Sequence, residues 1–556
     1  MKFKTISILL LSSLSLASCS DWLDVKSEGT ATEASFWKSD KDFSDALVAV
    51  YSNLELEETW GRNLFWEQGA SDDVFFSRAR GNAQMNLANL NMDGSTESSI
   101  KDFYTYMYQM MARSNNIIYN GLKLQSPSTA ISRHIGEAYF LRAFSHFMIA
   151  YRYGRADNGV PFVRYEDYNP YDDSTIPPQR ATVMENYDLI IQDLDKAIER
   201  LPWFNEYTAD DYGRATKDAA IALKVKAYAY WAQHDKTKWA QIPALVDKLE
   251  TEGGRGLLDN FSDVFTVANE WSKESIWAIN STGATMAGSI FPGICLDNKG
   301  WGRYNGWGNF KPTLELWAEY SQNDLRRPVT IMQYGDEFTF FGEKRKFYSS
   351  TDLECGFMFN KYMDPYKYGT VNEKGAGVSS YVSSNGDRPT TDLNVPVMRF
   401  AEMLLFKAEA LIEQGKGGEA APVLNRIAKR AGMGEPYKNP TIYDLMHERR
   451  CELAGEYTDR VMDLKRWAAE GYTDAKTRLE SAKHGLKYLN RSDPASALDT
   501  TNGTEMTING KTYKGVIQIM AAKTYDATKS CVLPYAVNEV IKAKGALKQN
   551  NGYPSK

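Results

Sequence analysis

Cysteine and histidine are scarce, five of each in 556 residues. Cys295, Cys355, Cys451 and Cys531, the four outside the leader region, are too few and too scattered for a disulfide framework, so buried free thiols or one or two bridges both fit. His134, His146, His234, His447 and His484 form no sequence-local metal cluster. His447 and Glu448 begin a pattern like H-E-x-x-H, but Cys451 stands where the second histidine belongs, so neither a metal nor a cofactor is expected. A basic excess is missing too. Lys and Arg number 65 against 71 Asp and Glu, a net charge of -6, and without cations to neutralise phosphate a nucleic acid partner is not expected. No apolar run reaches the roughly 20 residues that span a bilayer. There is no G-x-S-x-G elbow, and Gly510, Lys511 and Thr512 have Glu505 where a phosphate loop needs its first glycine; they read as a hairpin turn.

The longest apolar stretch opens the chain. Lys2 and Lys4 precede Ile6 to Leu16, which is interrupted only by serines and reads as a secretory signal removed on export. Leu16, Ala17, Ser18 and Cys19 resemble a bacterial lipobox, in which cleavage before the cysteine leaves its thiol to carry a diacylglycerol. Residues 1–18 are then a lipoprotein signal, and Cys19 anchors the mature chain without a spanning helix. Ordinary cleavage with an incidental Cys19 is the alternative.

Aromatic residues are abundant: 33 Tyr, 24 Phe and 13 Trp. Many fall on segments of helical period. Thr182 and Glu185 make a capping box ahead of Tyr187, Ile190, Ile191, Leu194, Ile198 and Leu201, with Pro202 as a stop. Phe400, Met403, Leu404, Ala408 and Leu411, ended by Gly415, precede a second helix from Glu419 to Gly432, which predicts a hairpin. Segments 135–151 and 219–232 are apolar on most sides and rich in alanine, so they are expected as buried helices in close contact. These pairs look like tetratricopeptide-type hairpins without a strict 34-residue repeat. The charged segment 444–467 reads as a structural helix with an i, i+4 ion pair between Glu456 and Arg460. Asn89, Asn91, Asp93 and Gly94 start like a calcium loop, but Ile100 holds the twelfth position, so a polar turn is expected.

From about residue 255 to 395 the helical period fails. Seven glycines fall between 281 and 310, which argues against regular helix there. Within that stretch Trp301, Tyr304, Trp307 and Phe310 recur every three residues. The flat face of such a ring packs on the C–H surface of a sugar while its N–H or O–H bonds hydroxyls, so the group points to carbohydrate; the competing reading is that the rings fill the loop's own core. Trp301, Tyr304 and Trp307 are the leading ligand candidates. A second patch, from Trp66 to Asn82, contributes Asp73, Phe76 and Arg78. The carboxylate pair of a glycoside hydrolase has a spatial rather than a sequential signature, so the sequence is silent on it.

From end to end the chain resembles the SusD/RagB family of outer-membrane lipoproteins of Bacteroidetes. The resemblance runs through CSDWLDV, ATEASFWKSDKDFSDALVAVYSNL, GEAYFLRAFSHFMIAYRYG with Val160 to Val163 after it, DLDKAIERLP and GRATKDAAIALKVKAYAYWA. It continues with PTLELWAEYSQNDLRRP, VPVMRFAEMLLFKAEALIEQG, HERRCELAGEYTDRVMDLKRW, LPYAVNEV and QNNGY. It departs near the end, where Gly545 and Ala546 precede Leu547 in place of the family's usual Asn-Pro. The resemblance implies a mainly α fold, a tetratricopeptide-like hairpin scaffold with a large loop-rich insert carrying few short strands. It implies one unit over 19–556, with helical parts at 19–254 and 396–556 around a ligand-binding part at 255–395. It also implies a cell-surface, lipid-anchored, non-enzymatic protein of the outer membrane that captures glycan and passes it to a SusC-like TonB-dependent transporter. Peptide or other nutrient uptake is the main alternative, and a surface glycoside hydrolase the lesser one.

Overall fold

The computed structural model describes residues 36–77, 82–94, 98–166, 179–283, 290–296, 306–348, 355–373, 377–383 and 390–555. Cys19, Arg78, Trp301 and Tyr304 lie outside the described residues. Helices dominate. In the first half they are α1 (Asp40–Tyr51), α2 (Ser98–Leu122), α3 (Thr129–Tyr153), α4 (Val183–Arg200), α5 (Lys217–Trp231) and α6 (Ile242–Thr251). Side-chain oxygens cap several N-termini: Ser39 on α1, Ser128 on α3, Thr182 on α4 and Thr216 on α5 each accept a backbone N–H of the first turn. At α4 the predicted capping box is only half formed, because the Glu185 carboxylate returns to the N–H of Ala181 rather than Thr182. Successive helices pack against one another, α2 on α3, α3 on α4, α4 on α5 and α5 on α6. Helix α3 is buried almost all round from Ile135 onward, and its Ala138, Ala143 and Ala150 let its neighbours approach closely.

The second half carries α7 (Phe400–Glu413) and α8 (Gly417–Arg430), the hairpin expected from the sequence, then α9 (Ile442–Leu453), α10 (Arg460–Ala469) and α11 (Thr473–Glu480). Helix α7 packs on α5 and α6 as well as on α8 and α9, which joins the two halves into one core. Segment 444–467 is therefore not one helix. It breaks after Leu453, where Gly455 takes a φ of +78° and brings its backbone so close to Phe359 that a Cβ would sit 2.8 Å from the ring. With the break the expected Glu456–Arg460 pair is lost. Glu456 instead pairs with Lys361 at 2.6 Å and Arg399 at 2.7 Å, while Arg460 turns to Asp72 at 3.1 Å.

Strands are short and paired in small antiparallel groups. Four of them place the site: β1 (Val74–Phe76), β2 (Ser275–Ile279), β3 (Phe310–Pro312) and β4 (Val395–Arg399). Pairing of β2 with β4 clamps the two ends of the middle segment together at its base. That segment is mostly irregular, as its glycines predicted. One turn of helix does form, Phe291–Cys295, started by Pro292 and including Gly293, against expectation; proline at the first turn gives up an N–H that has no helical partner. Near the C-terminus Asn509 and Gly510, at φ of +50° and +76°, turn the hairpin between Thr504–Ile508 and Lys511–Met520, as read from Gly510 to Thr512. Among the described residues no helix is long and apolar enough to cross a membrane.

Candidate functional site

The two candidate patches, more than 200 residues apart in sequence, meet in space. Strand β1 pairs with β3 in the register Val74 to Pro312, Phe75 to Lys311 and Phe76 to Phe310. The pairing continues at both ends: the Ser77 N–H donates to the Asn309 carbonyl at 3.1 Å, and the Thr313 N–H to the Asp73 carbonyl at 3.0 Å. Aromatic packing supports this ribbon from below. Phe65 lies 4.6 Å from Phe291 and 4.9 Å from Phe310, and Trp66 lies 4.6 Å from Phe76 and 4.7 Å from Phe310, mostly edge to face. The chain passes so near Phe76 at Gly69 that any Cβ there would lie 1.9 Å from the ring.

Trp307 sits at the rim of the cluster, half-buried, its backbone N–H on the Gly293 carbonyl at 3.0 Å. The Arg62 guanidinium lies 5.4 Å from the Trp307 ring and 5.9 Å from that of Trp66, which holds the cation between two indoles. Arg62 is in turn ion-paired with Glu57. The rim thus combines a large ring with charged hydrogen-bonding groups. Asp73 and Phe76 do not belong to it. Phe76 is packed into the ring cluster, and Asp73 is buried beneath the ribbon, where it accepts the Arg450 Nε–H at 2.7 Å. Their part is to hold β1 rather than to face a ligand.

Beneath β1 lies a network of buried charges. Asp72 binds Arg460 at 3.1 Å, Arg450 at 3.1 Å and Arg478 at 3.3 Å; Glu319 binds Arg450 at 2.7 Å, His447 at 2.7 Å and Arg478 at 3.2 Å. Burial alone would raise the Asp72 carboxyl, but three guanidiniums outweigh it and hold the group well below the usual carboxylate range. Asp73 is shifted up by its burial and by the charge of Asp72 beside it, with Arg450 opposing. Two lysines reach the same backbone. Lys483 donates to the carbonyls of Gly69 and Val74, and Lys523 to that of Ala70 at 2.9 Å; burial lowers Lys523 to about 8. Sequence reasoning passed over Arg450 and Lys483, because no local motif marks a residue whose partner is hundreds of positions away, and over Arg62 and Glu57, because only the fold brings that pair to Trp307. The acids under the rim are all shared among cations, an arrangement that fixes a surface and leaves no matched carboxylate pair facing outward from Asp72, Asp73 and Glu319.

Comparison with known proteins gives a consistent result. The family model described as "SusD family" matches residues 273–553, and one described as "Starch-binding associating with outer membrane" matches residues 21–229. Among curated proteins, SusD-like protein P2 of Formosa agariphila is 26% identical over 489 residues, covering 84% of this chain and 90% of that protein. SusD-like protein P38 of the same organism is 25% identical, covering 82% and 90%. Among solved structures, a SusD-like protein of Bacteroides fragilis superposes with a TM-score of 0.72 at 22% identity, covering 94% of this chain and 99% of the other. Surface glycan-binding protein A of Bacteroides thetaiotaomicron, in complex with laminarihexaose, gives a TM-score of 0.67 at 20% identity, covering 92% and 100%.

Proposed function

The chain belongs to the SusD family, and from that premise we propose that it captures glycan at the cell surface, with the Trp307 rim, seated on the buried β1–β3 ribbon, as the face that meets sugar. One observation carries the assignment: two aromatic, polar patches distant in sequence are brought together by strand pairing, with the half-buried Trp307 beside them. Trp307 offers a flat apolar face, and Arg62 and Glu57 offer donors and acceptors to hydroxyls; Trp301, Tyr304 and Arg78, close to Trp307 and β1 in sequence, are the further candidates for ligand contact. Each contact is weak, so affinity comes from several sugar units bound in series. A laminarihexaose complex of a protein with the same fold supports an oligosaccharide as the ligand class. The task is capture without bond cleavage. A diacylglycerol on Cys19 holds the protein to the outer membrane, and the loaded protein passes its ligand to a SusC-like TonB-dependent transporter.

The test is binding of laminari-oligosaccharides and a wider glycan array to the purified mature protein. Each of Trp307→Ala, Trp301→Ala and Tyr304→Ala should weaken binding by about 1–2 kcal/mol, roughly 5- to 30-fold, through loss of one stacking face. Peptide binding with no glycan signal, or full affinity in the triple variant, would sink the assignment. The anchor is tested separately by Cys19→Ala, which should lose fatty-acid labelling and membrane retention.

A further inference from the structure

A cavity of about 230 Å³ lies among α3, α4, α5, α10 and the C-terminal segment near Cys531, and shares no lining residue with the ring cluster. Its walls mix aromatic and apolar side chains with polar ones, Gln233 and His234 among them. Tyr151 and Tyr230 pack with centroids 4.6 Å apart, and Tyr187, Met462 and Val532 complete much of the lining. Its charges are unbalanced. Arg155, Lys465 and Arg466 line it against one acid, Asp157. Arg466 is taken up by Glu409 and Asp463, and Arg155 pairs with Asp157 at 3.2 Å. Lys465, only 3% exposed, has no hydrogen-bond or ion-pair partner among the described residues. Of the two groups that favour its charged form, Cys531 is a thiol lining the same cavity, and Glu67 gives its own oxygens to Arg152 at 3.0 Å. Burial lowers Lys465 to about 8, which leaves it charged at neutral pH. The hydroxyls of Tyr187 and Tyr230, both buried, likewise have no partner among the described residues.

Three polar groups without a partner among the described residues thus converge on one cavity, and a few convergent polar groups among rings and apolar side chains are the usual form of a small-molecule site. We propose that this cavity is a second ligand site, for a small organic carboxylate whose anionic group meets the Lys465 ammonium and whose hydroxyls or ring edge take the Tyr187 and Tyr230 hydroxyls. A single uncompensated cation matches a single negative charge, which favours a carboxylate over a polyanion. The assignment is independent of glycan capture at the rim.

Isothermal titration of the purified mature protein with benzoate and with glucuronate, each set against its neutral counterpart, benzyl alcohol or glucose, tests it directly. At least one carboxylate should bind tenfold or more tightly than its neutral counterpart. Lys465→Met should abolish that preference, and Tyr187→Phe, which removes one hydroxyl and keeps the ring, should weaken carboxylate binding about threefold with the melting temperature unchanged. Absence of binding by both carboxylates, equal binding of charged and neutral partners, or an undiminished preference in Lys465→Met would overturn the proposal. Should Lys465→Met fail to fold, the wild-type comparison and Tyr187→Phe decide it.

Discussion

Replacing Arg450 with methionine removes the guanidinium that Asp73, Glu319 and Asp72 share, at 2.7, 2.7 and 3.1 Å. The partners do not suffer equally. Asp72 keeps Arg460 and Arg478, and Glu319 keeps His447 and Arg478, but Asp73 retains only Arg460 at 3.9 Å. The variant therefore leaves one carboxylate buried with a single distant cation, and breaking a buried pair in this way costs about 3–5 kcal/mol. With an unfolding entropy of about 2.1 cal/mol/K per residue, a chain of this size has roughly 1.1 kcal/mol/K in total, so the melting temperature should fall by about 3–5 °C. The decisive measurement adds Asp73→Asn. An amide needs no counter-charge, so the double variant should recover at least about 1–2 kcal/mol relative to the sum of the two single changes. Hydrogen exchange at residues 72–77 should quicken in Arg450→Met and slow again in the double variant. A shift below about 1 °C, or strictly additive effects, would refute the claim that the network holds β1.

Three further outcomes follow from local geometry. Gly69→Ala drives a Cβ into Phe76, 1.9 Å from its ring, and should destabilise by about 1–3 kcal/mol with loss of near-ultraviolet dichroism from the Trp66 cluster. Glu270, which accepts the Asn394 N–H ahead of β4, is pushed up to about 8 by burial, so folding favours its neutral form and its contribution to stability declines as pH rises from about 4.5 to about 8. Glu270→Gln should therefore match wild type in melting temperature near pH 4.5 and exceed it increasingly up to pH 8; a pH-independent difference would disprove that linkage. Asp72, Glu319 and Glu452 are shifted the other way, and their ion pairs should hold above about pH 4 and fail as acid carries the protein towards their depressed folded values, seen as a steep fall in melting temperature below pH 4.

The helical scaffold was legible because its signals are local. A period of 3.6, a capping Thr182 and a stop at Pro202 all lie within one element, and the α7–α8 hairpin is bounded by Gly415 and Gly432, both at positive φ. The candidate face was legible only in halves. Each patch announced itself by its rings, but their meeting depends on pairing Phe76 with Phe310, a contact no local rule supplies. The division within the second patch was hidden for the same reason. Asp73 and Phe76 look suitable for ligand until the ribbon turns them inward. The charged run 444–467 misled because acids and bases at helical spacing are most often solvated, whereas Glu448, Arg449, Arg450 and Glu452 are each 3% exposed or less. Gly455 was the available warning, since a glycine in a long helical pattern often marks its end.

Why so many charges should be buried under the candidate face follows from what the fold lacks there. The ribbon has only two strands, and an isolated pair is marginally stable by itself. Apolar packing could supply comparable energy, and replacing buried ion pairs by hydrophobic residues is often neutral, so energy alone does not account for the network. Direction does. A guanidinium donates along fixed lines, and Arg450 satisfies Asp73 and Glu319 together only when β1 stands at one distance and angle from α9. Lys483 imposes a second constraint through the carbonyls of Gly69 and Val74. The irregular middle segment is thereby given a rigid footing on the helices, and Trp307, three residues before β3, is held in place with it.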